Sequence, residues 1–481
     1  MIKFTVNASI PNTLIPPPLP NTKTWKMKTL FALMALLLMQ ACKPVKKYDL
    51  AVINASVFDT RKGIVIMHQS ILVNADTIAE VTDSDIPVKA NRTIDARGKL
   101  VTPGMIDAHI HPTHFFGDYD AAPKYLAKDS LDFLRKKFSD NYLPFGVTAV
   151  MIMGQPETWL GPVLNWSAHP SPHYTDIYTV GGAFISQEDR KPYICHTTVA
   201  SPKAARQKIL AYHRMGIRHI KLYWRLRRPE FEAAFKTADS LGMRVYGHID
   251  EGIMNMDTTL RIGLMNYEHI FTIIHSLPWT ESDDKAFVAW MDRFYGKEKW
   301  QNLPYFEVLL NEIRWSVDYM PGRIDALIGR LAKHHATFST TIHLPGEKFG
   351  LTYFSNPGNR PDTGVSKERV QRNRDNFRGL MALVKKVYDS GIKIRIGTDV
   401  PNGGKAVLSE QVLLAQYGFT IPSIIQMATI NGATALGMAN KYGAIEPGKK
   451  ADLIIYDQNP MQNYRNFLSK RTVIKDGIVG F

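Results

Sequence analysis

The stretch VTPGMIDAHIHPTHFF, residues 101–116, sets His109 and His111 one residue apart, behind a short apolar run and a Pro-Gly turn. Side chains at i and i+2 of a strand point to the same side. Both imidazoles can therefore converge on one metal ion, with Ala108 and Ile110 facing away. Alone, the pair reads more readily as two polar residues near a loop than as ligands. Three partners change the balance: His248 in VYGHID, His269 in NYEHI and Asp399 in IGTDVP, each near the end of an apolar run. Each also has an ordinary reading, as a satisfied core histidine or a turn-capping aspartate. Together they offer imidazole nitrogens and carboxylate oxygens, donors that suit Zn2+. Two divalent cations in such a site acidify a shared water, so that hydroxide exists near neutral pH.

Lys221, in HIKLYW, is the odd member. A lysine on an apolar strand ordinarily snorkels to the surface or sits at a strand end. Inside a metal site a free ammonium is strongly disfavoured. Carbamylation by CO2 would convert it to a carboxylate-like bridge between two metals. Tyr223 lies two residues on, on the same side of the strand. His343, in TTIHLP, either meets substrate or caps its strand. His114, His173, His196 and His275 lack a strand-end position.

Converging these residues requires a scaffold of strands. Apolar runs at 148–153, 176–184, 219–224, 244–250, 265–270, 337–344 and 393–399 join the run before His111 to make eight. Stretches such as SPKAARQKILAYHRMG and GRIDALIGRLAKHH between them carry apolar residues at helical spacing. Eight βα units in this span predict a (β/α)8 barrel, and barrel enzymes carry their sites at the C-terminal strand ends. The flanks read as short strands and turns. Residues 48–101 and 441–481 are expected to join in a small composite β-sandwich domain around a barrel of residues 102–440. An insertion at 275–322 follows the sixth strand, and its aromatics form either a lid or partner surface, or a helical pair packed on the barrel.

The chain has 481 residues, 45% hydrophobic and 21% charged, as an ordinary globular protein does. Its net charge of +15 falls to +11 without the four lysines of residues 1–42, which hold no acidic residue. The remaining basic residues are scattered, with no nucleic-acid-binding motif, so no nucleic-acid partner is expected. KMKTLFALMALLLMQAC reads as a signal peptide, too short to span a bilayer comfortably. Cys42 follows the cleavage position, as in a bacterial lipoprotein signal whose cysteine is lipidated. The Pro-rich residues 1–26 precede it, and synthesis is expected to start at Met27. A cell-envelope location follows, lipid-anchored or periplasmic, with membrane contact only through the lipid. The one other cysteine, Cys195, would then lack a disulfide partner.

VTPGMIDAHIHP, IKLY, GTD and MATINGATALGMANKYGAIEPGKKADLIIYDQNP together resemble the amidohydrolase superfamily. Within it they resemble the imidazolonepropionase-like and Xaa-Pro-dipeptidase-like branch, over residues 48–478. The resemblance implies that His109, His111 and Asp399 hold a more buried metal ion and His248 and His269 a more exposed one. It implies that carbamylated Lys221 bridges the two ions, Zn2+ foremost, and that Asp399 carries the catalytic proton. Tyr223 and His343 are the candidate substrate contacts. The expected activity is hydrolysis of C–N amide bonds in small molecules: Xaa-Pro and other dipeptides, N-acyl amino acids or cyclic amides. A mononuclear deaminase or cyclic-imidate hydrolase, and an inactive lipid-anchored binding protein, are the competing expectations. An oligomer is compatible with all three.

Overall fold

A computed structural model describes residues 46–116, 131–189, 192–250, 253–297, 299–359 and 364–480. The signal-like segment and Cys42 lie outside these residues. The chain first forms β1 (Lys47–Asp59), β2 (Ile64–Asn74), β3 (Thr77–Asp83), β4 (Lys89–Asp95) and β5 (Leu100–Pro103). In β1, Leu50 and Val52 and, past a register shift between Val52 and Ala55, Ala55 and Val57 enter one core, while Tyr48 and Ala51 join a smaller one.

Ten short strands follow. They are β6 (Met105–Ile110), β7 (Val147–Ile152), β8 (Asp176–Thr179), β9 (Ala183–Ser186), β10 (His196–Val199), β11 (His219–Leu222), β12 (Arg244–Gly247), β13 (Asn266–Tyr267), β14 (Thr337–Ser339) and β15 (Lys393–Arg395). The C-terminal segment adds β16 (Leu453–Tyr456), β17 (Arg471–Lys475) and β18 (Ile478–Val479). β16 pairs antiparallel with β5, so the two ends of the chain share one eight-stranded sheet, ordered β18-β17-β16-β5-β1-β2-β3 with β4 on β1. That sheet reaches Pro103, two residues past the expected limit of 101.

The barrel strands run parallel in two hydrogen-bonded sets, β6-β7-β8 and β10-β9-β11-β12-β13-β14-β15. Only Val180–Gly182 separates β8 from β9. At the other seam the Ala108 N–H donates to the Ile396 carbonyl at 2.9 Å and the Asp399 N–H to the His109 carbonyl at 2.8 Å. The ring thus closes as a barrel with β6 beside β15.

Every expected strand is present, but most stop early. The run 244–250 ends as a ladder at Gly247, 265–270 at Tyr267, 337–344 at Ser339 and 393–399 at Arg395. Beyond these points the backbone turns. His269, Thr341 and Asp399 have φ of 60°, 48° and 53°, a region non-glycine residues occupy mainly where surroundings impose it. The run 176–184 splits at Val180–Gly182, and β10 is an extra strand that pairs with β9. The insertion holds the helices Glu281–Tyr295 and Tyr305–Tyr319. Its aromatics pack on one another: Trp279 stacks on Trp315 at 4.8 Å and Phe287 meets both edge-on. That favours the packed helical pair.

A buried ion cluster fastens β8 to the β-domain. Lys475, fully buried, lies 2.9 Å from Asp176, 2.7 Å from Asp476 and 3.4 Å from Asp452. Lys450 adds contacts of 2.7 Å to Asp176 and 2.6 Å to Asp476.

Candidate active site

The site begins where β6 meets the turn after β15. Asp107 accepts hydrogen bonds from the Thr398 N–H (3.0 Å) and hydroxyl (2.6 Å) and from the His109 N–H (3.2 Å). Burial pushes its carboxyl up to about 7 against those bonds. Gly397 is required there, because a Cβ on it would lie 2.7 Å from the His109 Cβ. The IDAHIH and IGTD motifs are thus locked together before any metal is considered.

His109 Nε2 and His111 Nε2 then face each other at 3.3 Å. Asp399 Oδ1 lies 3.7 Å from the first and 3.4 Å from the second. Hydrogen bonding fixes what these atoms present. His109 Nδ1 donates to the Glu268 carboxylate at 2.7 Å, which leaves Nε2 with its lone pair. His111 Nδ1 donates to the Gly154 carbonyl at 2.8 Å, with the same result. The Thr341 hydroxyl donates to the Thr340 carbonyl and so accepts from His269 Nδ1 at 3.1 Å, leaving His269 Nε2 as an acceptor. His248 turns Nε2 toward Asp250 at 3.5 Å. Its ring packs 4.4 Å from that of His269, which lies 4.6 Å from His109. Lone pairs and a carboxylate aimed at one small volume repel unless a cation lies among them. This donor set therefore fits metal ions.

Lys221 comes up from β11 with 2% of its surface exposed and its Nζ 3.2 Å from His109 Nε2. Burial lowers its pKa, which favours the neutral amine. Burial, and then the charge of Lys221, hold His109 and His111 well below the usual histidine range. His269 is depressed by burial and by the neighbouring histidines. Burial raises Asp399 to about 7 against the pull of Lys221. Unprotonated imidazoles are the metal-binding form.

The six residues expected to hold metal therefore meet at one place, five of them on the wall of a cavity of about 560 Å3. Tyr223 is on that wall too, its ring 4.8 Å from His248. His343 is not. It opens the short helix His343–Glu347, fully buried, with Nδ1 3.0 Å from the Ser409 hydroxyl. It backs Glu347, whose carboxylate accepts from the Asn356 N–H and from Asn359 Nδ2 at 2.9 Å. Both asparagines line the cavity, so His343 supports the wall from behind.

Sequence reasoning passed over several residues. Glu268 orients His109, accepts from the Ser339 hydroxyl at 2.6 Å, and pairs with buried Arg395. Its one signal is its place beside His269. His114 and His196 also line the cavity, His114 with Nε2 3.8 Å from Asp399 Oδ1. They lie beyond the ladder of β6 and at the start of unexpected β10, where strand-end logic does not reach. Two other groups of potential metal ligands occur among the described residues. His68, Asp83 and Asp85 are exposed, and Asp176, Asp452 and Asp476 are already matched by lysines.

Residues 334–480 match the model of the amidohydrolase family. The imidazolonepropionase of Geobacillus kaustophilus is 35% identical over 102 residues, 20% of this chain and 24% of that protein. The 5-methylthioadenosine/S-adenosylhomocysteine deaminase of Teredinibacter turnerae is 35% identical over 82 residues, 15% of this chain and 19% of that one. These matches thus span about a quarter or less of the curated relatives. The fold likeness is much longer. The crystal structure of a Xaa-Pro dipeptidase with bound methionine in the active site superposes with a TM-score of 0.61 at 18% identity, over 90% of this chain and 99% of that one. Residues 334–480 thus match the amidohydrolase family, and the likeness in fold extends over most of the chain.

Proposed function

We propose that this protein is a binuclear metal-dependent hydrolase of C–N amide bonds in small substrates, such as Xaa-Pro dipeptides, N-acyl amino acids or cyclic amides. The observation that carries the reading is the convergence of three fixed imidazole lone pairs, one carboxylate and a buried lysine at the cavity floor. His109, His111 and Asp399 would hold one ion, His248 and His269 the other, with Lys221 carbamylated between them. Two Zn2+ ions bound there would acidify a water and polarise the scissile carbonyl.

The chain's own groups do the rest. Glu268 and Gly154 keep His109 and His111 in the tautomers that face inward. Asp399 takes the proton of the attacking water and returns it to the leaving nitrogen. The Tyr223 hydroxyl, at the cavity wall, donates to the substrate carbonyl or carboxylate. Burial holds that phenol above its usual range, so it stays a donor. A lysine buried against His109 counts against a mononuclear deaminase, which has no use for a bridge. A cell-envelope location, with lipid on Cys42 or after signal removal, would suit scavenging of such amides.

The test is a screen of dipeptides and N-acyl amino acids against metal-loaded protein, reading the released amine. Turnover of at least one class is expected. Ammonia release from aminopurines with every amide left intact would point to the deaminase instead.

A further inference from the structure

Tyr193 and His196, in the wall of the catalytic cavity, also line a second chamber of about 710 Å3, open to solvent along Glu157, Thr158, Pro192 and Thr198. The partition is a single turn, closed by the His196 N–H donating to the Tyr193 carbonyl at 3.0 Å. The two rings pack edge to face at 5.1 Å, and His196 rests on Tyr223 at 4.4 Å. The chamber flanks β10, which pairs with β9 beside β11. In the order of the barrel strands it lies about halfway round from β15 and Asp399.

Its chemistry is specific. The one carboxylate among the described residues of its wall, Glu157, accepts from Lys208 Nζ at 2.9 and 3.0 Å, from the Thr197 hydroxyl at 2.7 Å and from the Tyr212 hydroxyl at 2.6 Å. Its charge is matched by Lys208, and four hydrogen bonds occupy its oxygens. Much of the remaining wall is prolyl, aliphatic or threonyl, with Pro156, Pro192, Ile194 and Thr198 among its members. Among the described residues a charged substrate terminus would find no unmatched counter-charge there, whereas an uncharged arm needs none.

We propose that this chamber is a subsite for an uncharged aliphatic or aromatic arm of the substrate, carried past Tyr193 and His196 while the scissile amide sits at the metal ligands. The inference rests on the amide-hydrolase reading and extends it to long-armed amides.

Straight-chain hydroxamates from acetyl to octanoyl test it, because their heads bind metal and their arms vary only in length. Their Kd values for the metal-loaded full chain, by calorimetry, should tighten about tenfold or more along the series as methylenes leave water. In Thr198→Trp, and separately in Ile194→Trp, an indole fills the chamber, and the gain should shrink to about threefold or less. A flat series with acetohydroxamate still bound, or the full gain retained in both tryptophan variants, would overturn the subsite while leaving the metal centre standing. No binding of acetohydroxamate at all would overturn the metal centre, and the subsite with it.

Discussion

Glu268 decides which nitrogen of His109 faces the ligand cluster, and it does so from a fully buried position shared with Arg395. Glu268→Gln removes the anionic acceptor and leaves Arg395 without its charge partner. Affinity for the ion at His109 should fall about 10–100-fold, as for other carboxylates behind metal-bound histidines. Chelator competition measures it, and unchanged affinity would leave Glu268 a packing residue only. Tyr223→Phe makes the opposite pattern: lower turnover with metal content intact. Equal kinetics on a good substrate would remove the phenol from the mechanism. The ligand types were legible in the sequence because HxH, the strand-end histidines and GTD each keep their chemistry in view. Glu268 was not, because an acid on an apolar strand has meaning only once the ring across the barrel is known. His343 lies off the cavity wall for a related reason. Its strand stops four residues earlier at Ser339, and a helix start carries the ring inward, behind Glu347.

At the scale of elements, the barrel was readable from apolar runs, but their ends were not. Hydrophobic alternation continues past the last ladder bond because the turns after β12, β13 and β15 are themselves buried. These turns, with φ near 50–60° at His269 and Asp399, are what aim the ligands. The insertion reaches the site through one such element. His275 pairs with Asp250, which faces His248, and its Nε2 lies 3.4 Å from Glu312 on the helix Tyr305–Tyr319. Burial alone would lower His275, but these two carboxylates outweigh it and raise the pKa from 6.5 to about 10. A folded-state pKa above the unfolded value stabilises fully below the unfolded value and is lost as pH rises through the folded one. Stability from this pair should therefore decline between about pH 6.5 and about 10. In His275→Gln that decline in Tm should be shallower. The same slope in wild type and variant would show that the imidazolium does not carry it.

For the whole molecule, the joining of both chain ends into one sheet was legible in their matching strand-and-turn pattern. The cluster that fastens this sheet to β8 was not, since Asp176, Lys450 and Lys475 read singly as surface charges. Lys475→Met leaves three buried carboxylates to one lysine, and the loss of one partner of such a network costs about 3–5 kcal/mol. Chemical denaturation should register that loss, and a change within error would place the cluster's weight elsewhere. Among the described residues no helix is long and apolar enough to cross a membrane, and Cys42, the proposed lipid site, lies outside them. The central claim, two ions bridged by a modified lysine, is tested most directly by metal content per chain in wild type and Lys221→Ala. About two ions per wild-type chain are expected. The variant should lose metal and activity, with activity partly restored by a short carboxylic acid standing in for the carbamate. One ion or none in the wild type, or a Lys221→Ala protein with full metal and full activity, would contradict it.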